Sequence, residues 1–415
     1  MKSLFVILSD SFYFKQRGLT EIPTSVFAHI NNNVAIAMSD TVTEVVEDNF
    51  MKTFKALKRK SPPADLGSVI NVDDSKWTSM DKVKQIYPQT VTSTEHEGMI
   101  PSSEWSMYEL TSVPGAILIR NPFRDKLRKY MIARCYSMYP RLPNVTNHID
   151  SKMSYEDVWQ ANCVNSSDLT LAHRSVDYIK KLRWVTLGYH YDWTKKIYVK
   201  ENKSEFPQDL SQLTQFIVHA VLGEEIKFKA EASIVNYYHA DSTLSGHTDH
   251  SEFDLTAPLI SISFGRTCVF MIGGQSKAQV PEALFLRDGD VFIMSRNARM
   301  SYHAVPRILP NDSSYLNYTP AFPGDVHTSN IPTDRENCHL KRTYDEKATP
   351  CKRIKLESEK FSADLISSLE DADSWSLFRR LLSGGRLNIN VRQVFEPGKG
   401  PEDYIWPEKD NYIAI

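Results

Sequence analysis

No stretch of this chain supplies the ~20 consecutive apolar residues that a membrane-spanning helix needs, so no such helix is expected among its 415 residues. Cysteine is scarce, at five, and no two stand as Cys-x-x-Cys, which argues against a disulfide framework and for a reducing, intracellular setting. An excess of one charge is missing too. With a net charge of −2 the chain has no global field to draw in an anion, so any nucleic-acid contact must come from local patches. The apolar run Leu4–Leu8 is followed closely by Asp10 and falls short of the about 7 to 15 residues of a secretory signal. The N-terminal stretch also lacks the Arg-rich, acid-poor composition of a mitochondrial presequence.

What is present is a globular composition, 41% hydrophobic, enough for one large core or two modest ones. The triplet His-x-Asp occurs at His148/Asp150, His190/Asp192, His239/Asp241 and His247/Asp249. So frequent a triplet selects nothing alone. An iron(II) site of two imidazoles and one carboxylate keeps positions open for a chelating cosubstrate and oxygen, so a third ligand, an anion clamp and a β scaffold should follow in the chain. Only His247 and Asp249 meet all three conditions. Gly246 suits a sharp turn before them. After them come the strand-like Pro258–Phe264, Cys268–Ile272, Ala283–Leu286 and Val291–Met294, each short, apolar and bounded by Gly, Pro or Asp. His303, opening His303-Ala304-Val305-Pro306-Arg307, is the expected third ligand.

The clamp is expected in Arg386-Leu387-Asn388-Ile389-Asn390-Val391-Arg392. Alternation along a strand puts Leu387, Ile389 and Val391 on one face and Arg386, Asn388, Asn390 and Arg392 on the other. Four polar side chains inside a small barrel are costly without a polar guest, and a dicarboxylate gripped by a planar guanidinium is such a guest. Asn236 and Tyr238, two apart on an earlier strand, share a face and complete the cradle.

Taken in order, Asn236-x-Tyr238, His247-x-Asp249, the distant His303 and Arg386-x-Asn388-x-x-x-Arg392 resemble the AlkB family of Fe(II)/2-oxoglutarate dioxygenases. The segments Leu182–Thr186, Asp241–Leu244, Ser263–Gly265, His303–Arg307 and Val391–Val394 carry the likeness further, over roughly residues 54–395 with gaps. The resemblance implies Fe(II) on His247, Asp249 and His303, 2-oxoglutarate held by Asn236, Tyr238, Arg386, Asn388 and Arg392, and O2 as co-reactant. Asn390 stands where the family usually has Thr, and Ser251 where the bacterial enzyme has an acid that reads the base. It further implies an α+β fold, a double-stranded β-helix or jelly roll with supporting helices and a nucleotide-recognition lid. The implied reaction is oxidative demethylation of nucleic acid. N1-methyladenosine in tRNA is the favoured substrate and N6-methyladenine in DNA the runner-up. A protein-directed dioxygenase and a non-catalytic binding module remain as alternatives. Localisation stays open among nucleus, cytoplasm and mitochondrion, and oligomeric state is left open.

The rest of the chain is read as scaffold or access. Residues 1–53 form an N-terminal extension, 54–114 a basic helix with irregular wrapping, and 115–230 helical support plus lid. Residues 231–310 are the catalytic core, 311–371 a disordered insertion, 372–396 a helix and last core strand, and 397–415 a tail. Phe54–Lys60 is a basic helix stopping at Pro62-Pro63, either a solvated face or a phosphate contact. Leu127, Tyr130, Met131 and Cys135 mark one amphipathic helix, and Leu213, Phe216, Ile217, Ala220 and Val221 a second. A third holds Asp373 as its N-cap and stops at Gly384-Gly385.

By the resemblance, Trp159 with Tyr189, His190, Tyr191 and Asp192 lines the lid, where a base leaving its stack would meet aromatic faces; an aromatic core plug is the plain alternative. Lys180, Lys181, Arg183, Lys195 and Lys196 fit either a phosphate path or an ordinary charged surface. Lys341-Arg342 with Lys352–Lys355 reads as a two-part import signal or as a solvated insertion. Cys338, His339 and Cys351 are too irregular for a zinc site.

Overall fold

The strand Gly385–Arg392, β14, is paired along both edges, by Ala232–His239 (β7) on one side and Leu259–Gly265 (β9) on the other, all antiparallel. Its alternation is the one expected: Leu387, Ile389 and Val391 enter a large apolar cluster, and the polar residues take the opposite face. The computed structural model describes residues 47–89, 96, 98–148, 155, 179–310 and 372–406. The chain divides into Met1–Glu47 and Asp48–Ile415, and every element described belongs to the second unit. Trp159 and the expected insertion 311–371, with its basic and Cys/His segments, lie outside the described residues.

From β7 onward the chain alternates between two sheets, which is what makes the fold a jelly roll. β7, β9, Val291–Met294 (β12) and β14 lie in the larger sheet, while Leu244–His247 (β8), Cys268–Ile272 (β10), Glu282–Leu286 (β11) and His303–Ile308 (β13) form the smaller, in the order β11-β10-β13-β8. Cys268, Phe270, Ile272, Leu284 and Leu286 of the smaller sheet meet Leu118, Tyr238, Leu259, Phe292 and Met294 of the larger in one buried cluster. Their neighbours Val269, Met271, Ala283 and Phe285 point the other way, onto helix α1 (Asn49–Lys58) through its Phe50, Phe54 and Leu57. The basic segment thus begins inside a helix whose apolar stripe closes the smaller sheet, while Lys55, Lys58 and Lys60 remain exposed. Arg307 caps that helix by donating to the carbonyls of Leu57, Lys58 and Arg59.

Helices α2 (Asp125–Ser137), α3 (Gln208–Leu222) and α4 (Ala372–Ser383) supply residues to the cluster on the outer face of the larger sheet. Both expected apolar stripes are there, with Phe216 only partly buried. α4 starts at Ala372, so Asp373 lies inside it rather than at its cap. The larger sheet also takes strands from outside 231–310: Ala116–Arg120 (β3) pairs with β12, and Trp184–Asp192 (β5) pairs with β7. Part of the expected irregular wrapping is strand as well, Val83–Ile86 (β1) and Ser106–Leu110 (β2) extending the sheet beyond β3. These short strands carry too little alternation to be read from sequence, and the pairing of β2 to β3 and of β1 to β2 decides them. Val145–Thr146 (β4) ends the sheet beyond β5. No helix among the described residues is long and apolar enough to cross a membrane.

Candidate metal centre and diacid cradle

β8 and β13 are neighbours in the smaller sheet, in a register that sets His303 directly opposite His247. The imidazole centroids lie 4.2 Å apart. Asp249, two residues beyond His247, completes a cluster in which one ligand atom from each residue lies within 4.8 Å of the others. Gly246 is extended strand, not the expected turn, and close packing explains its lack of a side chain: a Cβ there would stand 2.6 Å from the Phe50 ring.

Backbone carbonyls orient both rings. His247 Nδ1 is 2.9 Å from the Ser245 carbonyl, and His303 Nδ1 is 3.1 Å from that of Ser301. A carbonyl only accepts, so each Nδ1 carries the proton and each Nε2 keeps its lone pair, as metal-bound histidines require. Burial, with the charge of His247 second, pushes His303 down to about 4, so it is unprotonated at neutral pH. Burial alone would raise the Asp249 carboxyl, but Arg392, His303 and His247 together hold it well below the usual range, as an anion. Two imidazoles and one carboxylate, without a thiolate, are the donor set suited to Fe(II). Among the described residues, the other His-x-Asp positions make no such cluster. His239 Nε2 lies 3.3 Å from the Leu182 carbonyl, Asp241 pairs with Lys60 on the surface, and Asp150 is outside the described residues.

Arg392 departs from its expected place in the clamp. Its Nη2 is 2.6 Å from Asp249 Oδ2 and its Nε is 3.3 Å from Glu252 Oε1, leaving Nη1 as the buried nitrogen without a partner. Arg299, itself 2% exposed, closes a ring by donating to the Asp249 carbonyl at 2.7 Å, the Ala257 carbonyl at 2.9 Å and Glu252 Oε2 at 2.9 Å. Sequence reading missed Arg299 and Glu252, and no spacing points to them: their role comes from the segment after β12 meeting the segment after β8.

The cradle has the expected face. In register, Tyr238 lies opposite Arg386 and Asn236 opposite Asn388. Arg386 is 2% exposed yet meets only neutral oxygens, the carbonyls of Arg266 and Leu286 and Ser263 Oγ at 2.6 Å, and its Nε is buried without a partner. A buried guanidinium with an orphaned donor and no acid on it is what an incoming carboxylate would satisfy. Burial pushes the Tyr238 hydroxyl up, so it stays a neutral donor. Asn388 Nδ2 donates to Ser261 Oγ at 2.7 Å, and Asn390 gives its amide to Asn388 Oδ1 at 3.0 Å. That makes Asn390 a support for Asn388, one step behind the cradle.

The lid is a hairpin of β5 with Ile197–Lys203 (β6). Tyr191 reaches the metal loop, its hydroxyl 3.3 Å from Ser251 Oγ, and Tyr198 of β6 donates to Glu252 at 3.0 Å. Tyr189 and His190 do not line an open surface: Tyr189 stands edge-on to Phe395 at 5.1 Å, and His190, 2% exposed, is held 2.9 Å from Thr186 Oγ1. Asp192 caps the hairpin turn by accepting from the Thr194 and Lys195 amides. Trp184, quoted for the family likeness but given no role from sequence, is the register neighbour of Asn236 on the cradle face.

The 2OG-Fe(II) oxygenase superfamily pattern matches residues 145–392, which span the cradle, the metal cluster and the lid. The Homo sapiens protein named nucleic acid dioxygenase ALKBH1 is 34% identical over 373 residues, 86% of this chain and 87% of that protein. The Schizosaccharomyces pombe tRNA demethylase abh1 is 50% identical over 139 residues, 33% of this chain and 46% of that protein. The Arabidopsis thaliana DNA N(6)-methyladenine demethylase ALKBH1A is 31% identical over 307 residues, 68% of this chain and 76% of that protein.

Proposed function

This chain belongs to the 2OG-Fe(II) oxygenase superfamily, and on that premise we propose that it is an oxidative demethylase of nucleic acid acting first on N1-methyladenosine in tRNA. It is a dioxygenase that uses Fe(II), 2-oxoglutarate and O2. When bound, iron and 2-oxoglutarate supply the oxidant: O2 and the diacid become succinate and carbon dioxide, one oxygen atom enters an N-methyl group, and the resulting hydroxymethyl leaves as formaldehyde. The chain's part is to hold and orient. His247, Asp249 and His303 would hold the metal through Nε2, a carboxylate oxygen and Nε2. Arg386, with Tyr238, Asn236 and Asn388, would hold the diacid, and Arg392, held by Asp249 and Glu252, would offer at most the one nitrogen, Nη1, that those acids leave without a partner. Tyr191 and Trp184 would position the base between lid and cradle.

The observation that carries this reading is the aromatic hairpin hydrogen-bonded to the metal loop, Tyr191 to Ser251 and Tyr198 to Glu252. A flat, partly wet aromatic face suits a nucleobase, and an electron-rich ring favours a base made cationic by N1 methylation. The similarity to the fission-yeast tRNA demethylase supports that order. The second reading, N6-methyladenine in DNA, is supported by the similarity to the plant DNA N(6)-methyladenine demethylase. Such substrates would place the enzyme in the nucleus, cytoplasm or mitochondrion.

The test offers methylated tRNA and methylated DNA in competition and measures formaldehyde and succinate, with His247→Ala as the blank. Formaldehyde from tRNA first supports the proposal, and from DNA first the second reading. Succinate released without dependence on any nucleic acid overturns both.

A further inference from the structure

Trp193 sits at the tip of the lid hairpin and is 45% exposed, among the few large hydrophobic side chains left open to solvent in the described residues. It is not a loose surface residue. Its indole lies tilted against Trp184 at 5.2 Å and edge-on to Tyr191 at 5.0 Å, so three rings make one ledge. The turn beneath is stiffened by Asp192, which accepts from two backbone amides, and by Lys196, which holds a φ of 57°. At its inner end the ledge meets the site, since Trp184 adjoins Asn236 in the cradle and Tyr191 bonds Ser251 beside the metal loop. Cations adjoin both tryptophans in sequence. Lys180, Lys181 and Arg183 precede Trp184 and are exposed, and Lys195 and Lys196 follow Trp193. The one acid in the turn, Asp192, is turned to backbone amides.

An apolar face edged by positive charge and running into a demethylation site fits a polyanion whose units are aromatic. We propose that Trp193 stacks the nucleobase next to the one being demethylated, so that the enzyme reads at least two consecutive unpaired nucleotides. This rests on the nucleic-acid reading above and goes further by naming a second base subsite. Stacking on an aromatic side chain is tolerant of base identity because every base has a π-face, and the flanking cations would follow the phosphates on either side. The ledge therefore selects unpaired, loop-like segments over duplex, where the neighbouring base stays in its own stack.

The experiment uses the full chain loaded with Fe(II) and a short oligoribonucleotide carrying one N1-methyladenosine, either intact or with an abasic residue on the 5′ or 3′ side of it. On the intact strand Trp193→Ala is expected to raise KM about tenfold, and Trp193→Phe to recover most of that loss. One of the two abasic strands should show the same rise with the wild-type chain, and no further rise when combined with Trp193→Ala, because both changes remove one contact. Equal losses for Trp193→Ala on intact and abasic strands, or an unchanged KM, overturn the proposal while leaving demethylation standing. Anisotropy of the labelled strand separates the two ideas. Strand binding that depends on Trp193 without formaldehyde release keeps the ledge and sinks the demethylase reading, and no binding at all sinks both.

Discussion

Arg392 holds Asp249 by one oxygen: Nη2 and Nε lie 2.6 and 3.2 Å from Oδ2, which leaves Oδ1 turned toward His247, 3.7 Å from its Nε2. The arginine read from sequence as part of the diacid clamp thus sets the direction in which the carboxylate offers its free oxygen. The same guanidinium reaches Glu252, and through it Arg299 and the lid tyrosine Tyr198. The candidate ligand Asp249, its loop and the β5–β6 hairpin therefore share one buried network.

Arg299→Ala should loosen that loop. It removes the donors to the Asp249 and Ala257 carbonyls and one cation from buried Glu252, and outer partners of this kind are worth about 10- to 100-fold in metal affinity. Titration with Fe(II) under argon measures the affinity, and thermal unfolding should show a loss of about 3 kcal/mol in the metal-free chain. An unchanged metal affinity would exclude Arg299 from positioning Asp249.

Arg386→Lys tests the cradle. An ammonium replaces the planar fork without removing charge, so 2-oxoglutarate should bind about ten- to a hundredfold more weakly. Fe(II) affinity should hardly change, because Arg386 touches none of the three metal-cluster residues. Calorimetric titration of the diacid into the metal-loaded protein gives the first quantity. Equal binding by wild type and variant would move the diacid elsewhere.

Acidification should unfold the metal-free chain through its buried histidines. Burial pushes both His190 and His303 down to about 4 from an ordinary 6.5. The unfolded chain therefore binds more protons across that window, and folding loses stability as pH falls from about 6.5 toward 4. Thermal melts across this range would show it, and His190→Gln should flatten the slope. A melting temperature that does not drop over the window, in wild type, contradicts the account.

Gly246→Ala places a methyl where the Phe50 ring stands 2.6 Å away, at the contact between β8 and α1. Overpacking of this sort costs about 1 to 3 kcal/mol. Denaturant unfolding would measure it. The pair Gly246→Ala with Phe50→Leu should recover part of the loss, and if the double variant is no more stable than Gly246→Ala alone, the clash is not the cause.

Two kinds of information separate here. Period-two alternation in Arg386–Arg392 is a local property of an extended chain, so the apolar face at Leu387, Ile389 and Val391 and the polar face opposite could be read without coordinates. That His247, Asp249 and His303 would converge was legible in the same way, because the residue types an iron site needs are few and their order along the strands restricts the choice. Trp193, Tyr189 and His190 are different: all lie in one aromatic segment, yet one is exposed and two are buried, and the sequence reading gave lid roles to Tyr189, His190, Tyr191 and Asp192 alike while giving Trp193 none. The bulge between Tyr189 and Tyr191 explains why, since it breaks the alternation on which such a reading depends. Arg392's hold on Asp249, Arg299's hold on the metal loop and the edge strands β1 and β2 were likewise decided only when distant segments met. A buried cation pairs with whichever acid the closed fold brings beside it, and nothing local in the chain names that partner.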